Sequence, residues 1–182
     1  MSDRARLLEL LTRFAYEKRK VVLASGRESD FYIDTKQVSL SAEGHYLIGK
    51  LGLQAVRELV PDLQAVGGMT MGADPIASAI SLTSWLERSP LPAFYVRKEP
   101  KGHGTGQWIE GRKGFPAGAT VCLVEDVVTT GGSTLKAIER CREGGLRVAG
   151  VVSLIDREEG GRANVEAAGV QLRALYLRSE FP

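Results

Sequence analysis

One connection, from Val121 to Glu139, constrains the fold of this chain more than any other segment. Its sequence, VCLVEDVVTTGGSTLKAIE, begins with four apolar residues typical of a buried strand and ends in a helical pattern. Between them lie Glu125, Asp126 and a run of Thr, Gly and Ser, although one turn and one capping residue are enough to start a helix. The connection therefore predicts a strand-to-helix unit of an α/β fold that also binds a ligand.

Strands and helices alternate along the rest of the chain. Apolar strand patterns occur at 64–68, 92–97, 120–124, 147–155 and 171–177. Helical patterns occur at the N terminus (Leu7, Leu8, Leu10, Leu11 and Phe14), from a Ser41 cap through Val60, at 72–86 with Asp74 as the cap, at 133–143 and near 162–168. This alternation is typical of a mostly parallel sheet with helices on both faces. We predict one α/β domain over residues 1–182.

Composition narrows the classes of function. A chain of 182 residues can bury its own core, and a net charge of +2 gives no field that favours nucleic acid or a membrane surface. No apolar run is long enough to span a bilayer, and residues 1–20 are charged throughout, unlike a secretory signal. We expect a cytoplasmic protein with no nucleic-acid or membrane partner. Cys122 and Cys141 lie in a strand and a helix pattern, which favours core packing over a redox or metal role.

The connection has the features of a phosphate site beside a diol site. In open α/β sheets, ligands bind beyond the carboxyl ends of the strands, where Glu125 and Asp126 are expected. Backbone N–H groups from Thr129 to Ser133 can surround a phosphate, and the start of the next helix adds its dipole. Two adjacent carboxylates can accept hydrogen bonds from vicinal hydroxyls. A ribose 5-phosphate fits this description; the alternative is a capping turn with an exposed acidic pair.

The same segment resembles the motif with which type I phosphoribosyltransferases bind phosphoribosyl diphosphate (PRPP). It is not a Walker loop, because no Gly-Lys-Ser/Thr follows. The resemblance implies the fold of that family, an α/β fold whose mostly parallel central sheet is flanked by helices and carries a small N-terminal hood. It also implies PRPP contacts from Glu125, Asp126, Val127, Val128, Thr129, Thr130, Gly131, Gly132 and Ser133.

A cationic segment narrows the resemblance to the orotate-specific members of the family. RKEPKGHGTG, residues 97–106, has the Arg-Lys, Lys and His-Gly spacing of their catalytic loop. In other contexts a basic run is usually a solvated loop. The resemblance implies a homodimer in which the 98–111 loop acts in the neighbouring subunit. It implies PRPP contacts from Arg97, Lys98, Lys101 and His103. The catalytic residues that it implies are Lys101, His103 and Asp126.

Two more segments support this reading. SGRESDFYID, residues 25–34, resembles the hood that covers the base in the orotate enzymes, and we expect the hood mainly at 1–40 together with the C-terminal strand, around a core at about 41–160. In SLIDREEGG, Arg157 matches the arginine that contacts orotate, and a guanidinium suits a carboxylate. Its alternative is a surface arginine that begins a loop. Thr129 is the other orotate contact that the resemblance implies.

Two positions depart from the family pattern. Ala24 and Met71 stand where many members have lysines, which affects binding of the diphosphate more than the reaction itself.

The implied reaction transfers the 5-phosphoribosyl group from PRPP to orotate, giving orotidine 5′-monophosphate and diphosphate, a step of UMP synthesis. Mg²⁺ is expected as a cofactor that PRPP holds, with no metal site built by the protein. Two alternatives stay open. A purine (adenine-type) phosphoribosyltransferase would share the PRPP motif but lack the Lys-x-His pattern of the loop. A PRPP-sensing regulator would need a DNA-binding module, and no helix-turn-helix segment or basic stripe precedes the fold.

Overall fold

The computed structural model describes residues 1–22, 28–100 and 108–182. The chain begins with helix α1 (Asp3–Leu10), which continues as a short π-helix (Leu11–Ala15). Strands β1 (Tyr16–Val22) and β2 (Glu28–Ile33) then form an antiparallel pair, and the short helix α2 (Lys36–Ser39) follows. The pair is a sheet of its own, as expected of the hood.

The rest of the chain alternates helices with strands. In chain order these elements are α3 (Ala42–Leu59), β3 (Ala65–Met69), α4 (Ala73–Leu86), β4 (Ala93–Val96), β5 (Ile109–Glu110), β6 (Thr120–Val128), α5 (Gly132–Glu143), β7 (Arg147–Asp156), α6 (Gly161–Ala167) and β8 (Gln171–Leu177). Short 3-10 turns lie at Arg112–Gly114 and Arg178–Glu180. In the part of the chain that the structure describes, no helix is both long and apolar enough to cross a bilayer.

The main sheet has six strands in the order β5-β4-β3-β6-β7-β8. Each neighbouring pair from β4 to β8 is parallel, and only the short β5 runs antiparallel to β4. The prediction of a mostly parallel central sheet flanked by helices is confirmed. β4 lies on one side of β3 and β6 on the other, so the strand order reverses between β3 and β6. Ligands of open α/β sheets bind at such a switch point.

Two hydrophobic layers cover the faces of the main sheet. One joins α1, α3, α4 and Phe31 of the hood to alternate residues of β6, among them Cys122 and Val124. The other lies under α5 and α6 and includes Leu123 of β6 and Cys141 of α5. Both cysteines are free and buried, which confirms their interpretation as core residues. Because residues alternate between faces along a strand, one strand supplies both layers.

The prediction that the C-terminal strand belongs to the hood is wrong. β8 pairs with β7 from Gln171 to Leu177 and is the edge of the main sheet. Its contact with the hood is through side chains, since Tyr176 donates its hydroxyl to Arg4 O, and beyond β8 the ring of Phe181 packs against those of Tyr16 and Phe31. The core sheet therefore extends well beyond residue 160.

Two helix details also differ from the predictions. Ser41 does cap α3, since its hydroxyl accepts from the N–H of Gly44, but Asp74 does not cap α4. The residue before α4, Gly72, already has helical dihedral angles. The helix therefore begins before Asp74, which lies inside the first turn. Phe14, predicted on the buried face of the first helix, is 54% exposed. The π-helical turn widens the helix there and rotates Phe14 toward solvent.

Candidate active site

The carboxyl ends of β3 and β6 meet around the side chain of Asp126. Gly72, just after β3, approaches this carboxylate so closely that a Cβ at Gly72 would lie 2.4 Å from its Oδ1 atom. Only a residue without a side chain allows this approach. The hood contributes another contact, because the buried Thr35 donates its hydroxyl to Asp126 Oδ2 at 3.3 Å. Asp126 itself stays partly exposed and can accept hydrogen bonds from a ligand.

Glu125 has a different environment from its neighbour. It is only 6% exposed, and its Oε2 accepts from the hydroxyl of Thr134 on α5 at 3.2 Å. Burial, and then the charge of Asp126, raises the pKa of Glu125 to about 8. β6 also continues to Val128, so the two carboxylates lie within the strand and not after its end at residue 124 as predicted. At neutral pH the Glu125 carboxyl is therefore largely neutral.

This environment predicts a pH-dependent stability. Below the ordinary pKa of 4.5 the contribution of the buried neutral carboxyl is fully present, and it is lost as pH rises through about 8. Between these values the folded state binds the extra proton, so its free energy of unfolding falls as pH rises. Glutamine cannot ionise. The free energy of unfolding of Glu125→Gln should therefore fall less steeply with pH than that of the wild type, by roughly 1.4 kcal/mol per pH unit. Urea denaturation across this range measures it.

The matched control is Glu139→Gln, which changes an exposed carboxylate on the same helix that covers Glu125. Its pH profile should follow the wild type. If Glu125→Gln also keeps the wild-type slope, Glu125 is not the buried titrating group.

The loop after β6 has the form expected of a phosphate site. Gly131 has a positive φ of 82° and leads into α5, whose first N–H groups have no acceptor within the helix. A Cβ at Gly131 would lie 3.1 Å from the carbonyl of Gly161, whereas one at Gly132 would meet nothing within 4 Å. The open side of the loop is therefore at Gly132. Asn164 supports the other side, since its amide donates to Thr130 O at 2.9 Å.

Arg157 follows directly after β7 and is only 7% exposed, so its interpretation as a surface arginine is wrong. Its Nη2 donates to the carbonyl of Phe31 in the hood at 3.1 Å and lies 2.8 Å from Glu159 Oε1. The guanidinium borders a cleft of about 440 Å³ between the hood and the C-terminal residues. The cleft is also lined by Tyr16, Lys18, Phe31, Arg178 and Phe181. The charged lining is mixed, since Lys18 and Arg178 lie beside Asp30 and Glu158, and Arg178 is paired with Asp30.

The cationic segment begins and ends at the edge of the main sheet. The N–H of Arg97 donates to Trp108 O at 2.8 Å, next to the pairing of β4 with β5. The guanidinium of Arg97 lies 3.0 Å from Glu110 Oε1. Lys98 is exposed. Two of the three predicted catalytic residues, Lys101 and His103, lie outside the described residues.

Comparison with known proteins now identifies the family. The model of the phosphoribosyl transferase domain matches residues 65–168, which include β3, the Asp126 strand and α6. An orotate phosphoribosyltransferase from Sorangium cellulosum is 52% identical over 180 residues, which cover 99% of this chain and 93% of that protein. The chain belongs to the orotate phosphoribosyltransferase family. The resemblance recognised in its motifs is thereby confirmed.

Other members of the orotate phosphoribosyltransferase family agree. The enzyme from Aquifex aeolicus is 48% identical over 177 residues, covering 97% of this chain and 94% of that protein. Among solved structures, the orotate phosphoribosyltransferase of Mycobacterium tuberculosis in complex with PRPP superimposes with a TM-score of 0.75 at 35% identity, covering 98% of each chain. The type I fold predicted from the sequence is confirmed.

The structure gathers part of the orotate phosphoribosyltransferase site predicted from the sequence. Asp126, the 129–133 loop and Arg157 lie at the carboxyl ends of adjacent strands, β6 and β7. Their roles as ligand contacts stay predictions. Met71, which stands where many members have a lysine, is 70% exposed beside Gly72. Ala24, the other departure, lies outside the described residues.

Sequence reasoning missed Thr35 and Gly72, although both touch Asp126. Thr35 lies 91 residues away from its partner, and no local pattern links the two. The neighbouring Lys36 forms an ion pair with Asp34. This pair raises the pKa of Lys36, and the charge of Asp126 raises that pKa further. For Gly72 a signal did exist, since a glycine between a strand and a helix often marks a close backbone approach.

Proposed function

We propose that this chain catalyses the transfer of the 5-phosphoribosyl group from PRPP to orotate, giving orotidine 5′-monophosphate and diphosphate in the cytoplasmic synthesis of UMP. The observation that carries the proposal is the convergence of Asp126, an open glycine loop and Arg157 at the carboxyl edge of one parallel sheet. Similarity to orotate enzymes over nearly the whole chain favours orotate over a purine as the acceptor.

In the proposed complex, the 129–133 loop and the start of α5 hold the 5-phosphate of PRPP, with the open side at Gly132. Asp126 accepts hydrogen bonds from the ribose hydroxyls. Glu125 is buried beside Asp126 and supports its position. The bond from the anomeric carbon to diphosphate breaks while a bond to N1 of orotate forms, and the proton of N1 is released to water. Positive charge develops on the ribose ring in this step, and the Asp126 carboxylate stabilises it.

The leaving diphosphate carries several negative charges, which need cationic partners. Stabilisation of such developing charge by fixed cations is a large part of enzyme catalysis. We assign this role to the side chains of the cationic segment, with His103 able to donate a proton. The assigned residues are Arg97, Lys98, Lys101 and His103.

Mg²⁺ is proposed as a cofactor that arrives bound to PRPP. In the described parts of the chain, no group of three or more His, Cys, Asp or Glu side chains could hold a metal ion. A single accessible carboxylate such as Asp126 suits Mg²⁺, which commonly combines one or two carboxylates with phosphates of the substrate. When bound, the ion would neutralise part of the diphosphate charge.

The test is an assay of PRPP consumption with orotate, adenine, guanine and uracil in parallel. Orotate alone should support release of diphosphate. Turnover with adenine or guanine instead would establish the purine alternative. Binding of PRPP without turnover of any base would support the regulator.

Arg157→Ala tests the orotate side of the site. The Michaelis constant for orotate should rise by one to two orders of magnitude, about what a lost charge-assisted contact costs, while the constant for PRPP changes little. Steady-state kinetics with each substrate varied in turn measures both. Arg147→Ala, which removes an exposed arginine paired with Asp62, is the control. A larger effect on PRPP would place Arg157 in the other half of the site.

We also propose that two copies form a homodimer in which the 98–111 loop acts in the neighbouring subunit. One face of α4 carries Leu82, Trp85 and Leu86, and all three side chains are more than half exposed. Their spacing of three and four residues puts them on one side of the helix. An exposed apolar face of this kind marks an interaction surface. In a dimer with a two-fold axis, the α4 faces of the two copies would pack against each other, so that both are covered.

Trp85→Glu tests this interface. A charge placed in the centre of the α4 face should make the protein monomeric at micromolar concentration, because the carboxylate would lose its hydration on association. Turnover should fall at least about tenfold, because the loop could no longer reach a neighbouring site. Light scattering after size-exclusion chromatography measures the mass. Phe14→Glu, at another exposed aromatic position beside the hood, should stay dimeric; a dimeric Trp85→Glu would place the interface elsewhere.

A further inference from the structure

Arg140 lies on α5, two turns after the phosphate loop, and holds both ends of the cationic segment. Its Nη1 donates to Arg97 O at 2.5 Å and its Nη2 to Lys98 O at 3.0 Å. The same guanidinium lies 4.1 Å from the centroid of the Trp108 ring. Arg97 and Lys98 are the first two residues of the segment and Trp108 lies just after it, so one side chain joins the two ends.

These contacts use properties that only arginine combines. A planar guanidinium can donate to two carbonyls and stack on an aromatic ring at the same time. Its Nη1 also lies 3.4 Å from the sulfur of Met69 at the end of β3. On the same helix, Ala137, Ile138 and Cys141 are buried against the sheet. Arg140 is therefore fixed relative to the sheet that carries the candidate site.

We propose that Arg140 is a positioning residue for phosphoribosyl transfer, which fixes the ends of the cationic segment without touching the substrate. The inference rests on the proposed function, in which Lys101 and His103 of this segment act on the leaving diphosphate. A displacement of catalytic groups by about 1 Å can lower a rate about 10²-fold. Loss of Arg140 therefore lowers turnover, while the phosphate loop at the start of α5 keeps its affinity.

Arg140→Met keeps an unbranched apolar side chain but removes the guanidinium. Turnover, with the base that the wild-type protein accepts, should fall about 10- to 100-fold. The dissociation constant of ribose 5-phosphate, measured by calorimetry, should stay within about twofold because that ligand needs only the phosphate loop and Asp126. Arg140→Lys should recover part of the turnover, since an ammonium can bond the carbonyls but cannot form the planar fork.

Arg142→Met is the matched control, because Arg142 lies two residues further on α5 and its guanidinium also donates to a backbone carbonyl, that of Ala168. It should keep wild-type turnover. The proposal is overturned if Arg140→Met turns over like the wild type. It is also overturned if the affinity for ribose 5-phosphate falls in parallel with turnover, since Arg140 would then act through the phosphate loop.

Subunit mixing gives a second readout that a general structural role would not produce. If Arg140 acts through the segment, Arg140→Met should recover activity when mixed with Asp126→Asn, which damages the pocket, but not with Lys101→Ala, which damages the segment. The reverse pattern would overturn the proposal. If Lys101→Ala and Asp126→Asn do not restore each other, the arrangement between subunits is wrong, and the comparison of turnover with ribose 5-phosphate affinity still decides the role of Arg140.

Discussion

Replacing Asp126 with Asn should abolish phosphoribosyl transfer and leave the fold intact. The carboxylate is partly exposed, and it accepts hydrogen bonds from the hydroxyl of Thr35 and the N–H of Val127. An amide can keep both, since its oxygen accepts from the N–H and its nitrogen can donate to the hydroxyl. What the amide cannot supply is the negative charge beside the cationic ribose ring. We expect turnover to fall on the order of 10³-fold, the scale for removing one electrostatic contact to a transition state.

Circular dichroism and thermal unfolding would establish that the Asp126→Asn variant is folded. Asp62→Asn is a suitable control, because Asp62 pairs with Arg147 at the surface, at the amino-terminal end of the sheet. A second effect is also expected. Without the charge of Asp126, one cause of the raised pKa of Glu125 disappears, and the pH range over which stability falls should narrow. Turnover close to that of the wild type would remove Asp126 from the catalytic residues.

The fold could be predicted where a local pattern decides the structure. β8 lies at Gln171–Leu177 as predicted, because its apolar residues form a short strand pattern of which Leu172 and Tyr176 face the core. α5 begins within one residue of its predicted start, since the glycine with positive φ before it ends the loop. The assignment of β8 to the hood was wrong for a reason of another kind. Which neighbour an edge strand pairs with depends on the whole sheet, and no periodicity of the strand itself records it.

The candidate site also has features that the sequence predicts and features that depend on the assembled fold. The motif predicted that the strand, the acidic pair and the glycine loop lie together, because they are contiguous in the chain; that a phosphate and a diol bind there stays a prediction. The burial of Glu125 could not be predicted, since it depends on Thr134 and α5 folding back over the strand. No feature of the sequence distinguishes Arg140 from other arginines in a helical pattern. Its contacts join residues more than 40 positions away, and such contacts appear only after the sheet has assembled.

The largest gain in activity is expected from mixing two inactive variants. Lys101→Ala damages the cationic segment and Asp126→Asn damages the pocket, so each homodimer should be nearly inactive. If the segment acts in the neighbouring subunit, a heterodimer has one site with both defects and one site with neither. Random exchange of equal amounts makes about half of the dimers mixed, and each has one intact site of two. Activity should therefore recover to about a quarter of the wild-type value.

The measurement needs proof that subunits exchange, which native mass spectrometry of tagged chains provides. A further control separates complementation from a trivial rise in activity. Two different pocket variants, Asp126→Asn and Asp126→Ala, are mixed. They should stay inactive, because every site then lacks the same carboxylate. Recovery in the first mixture but not in the second would place each active site between two chains. Exchange without recovery would mean that Lys101 and His103 serve their own subunit. A dimer joined through the exposed face of α4 would then contain two complete and independent sites.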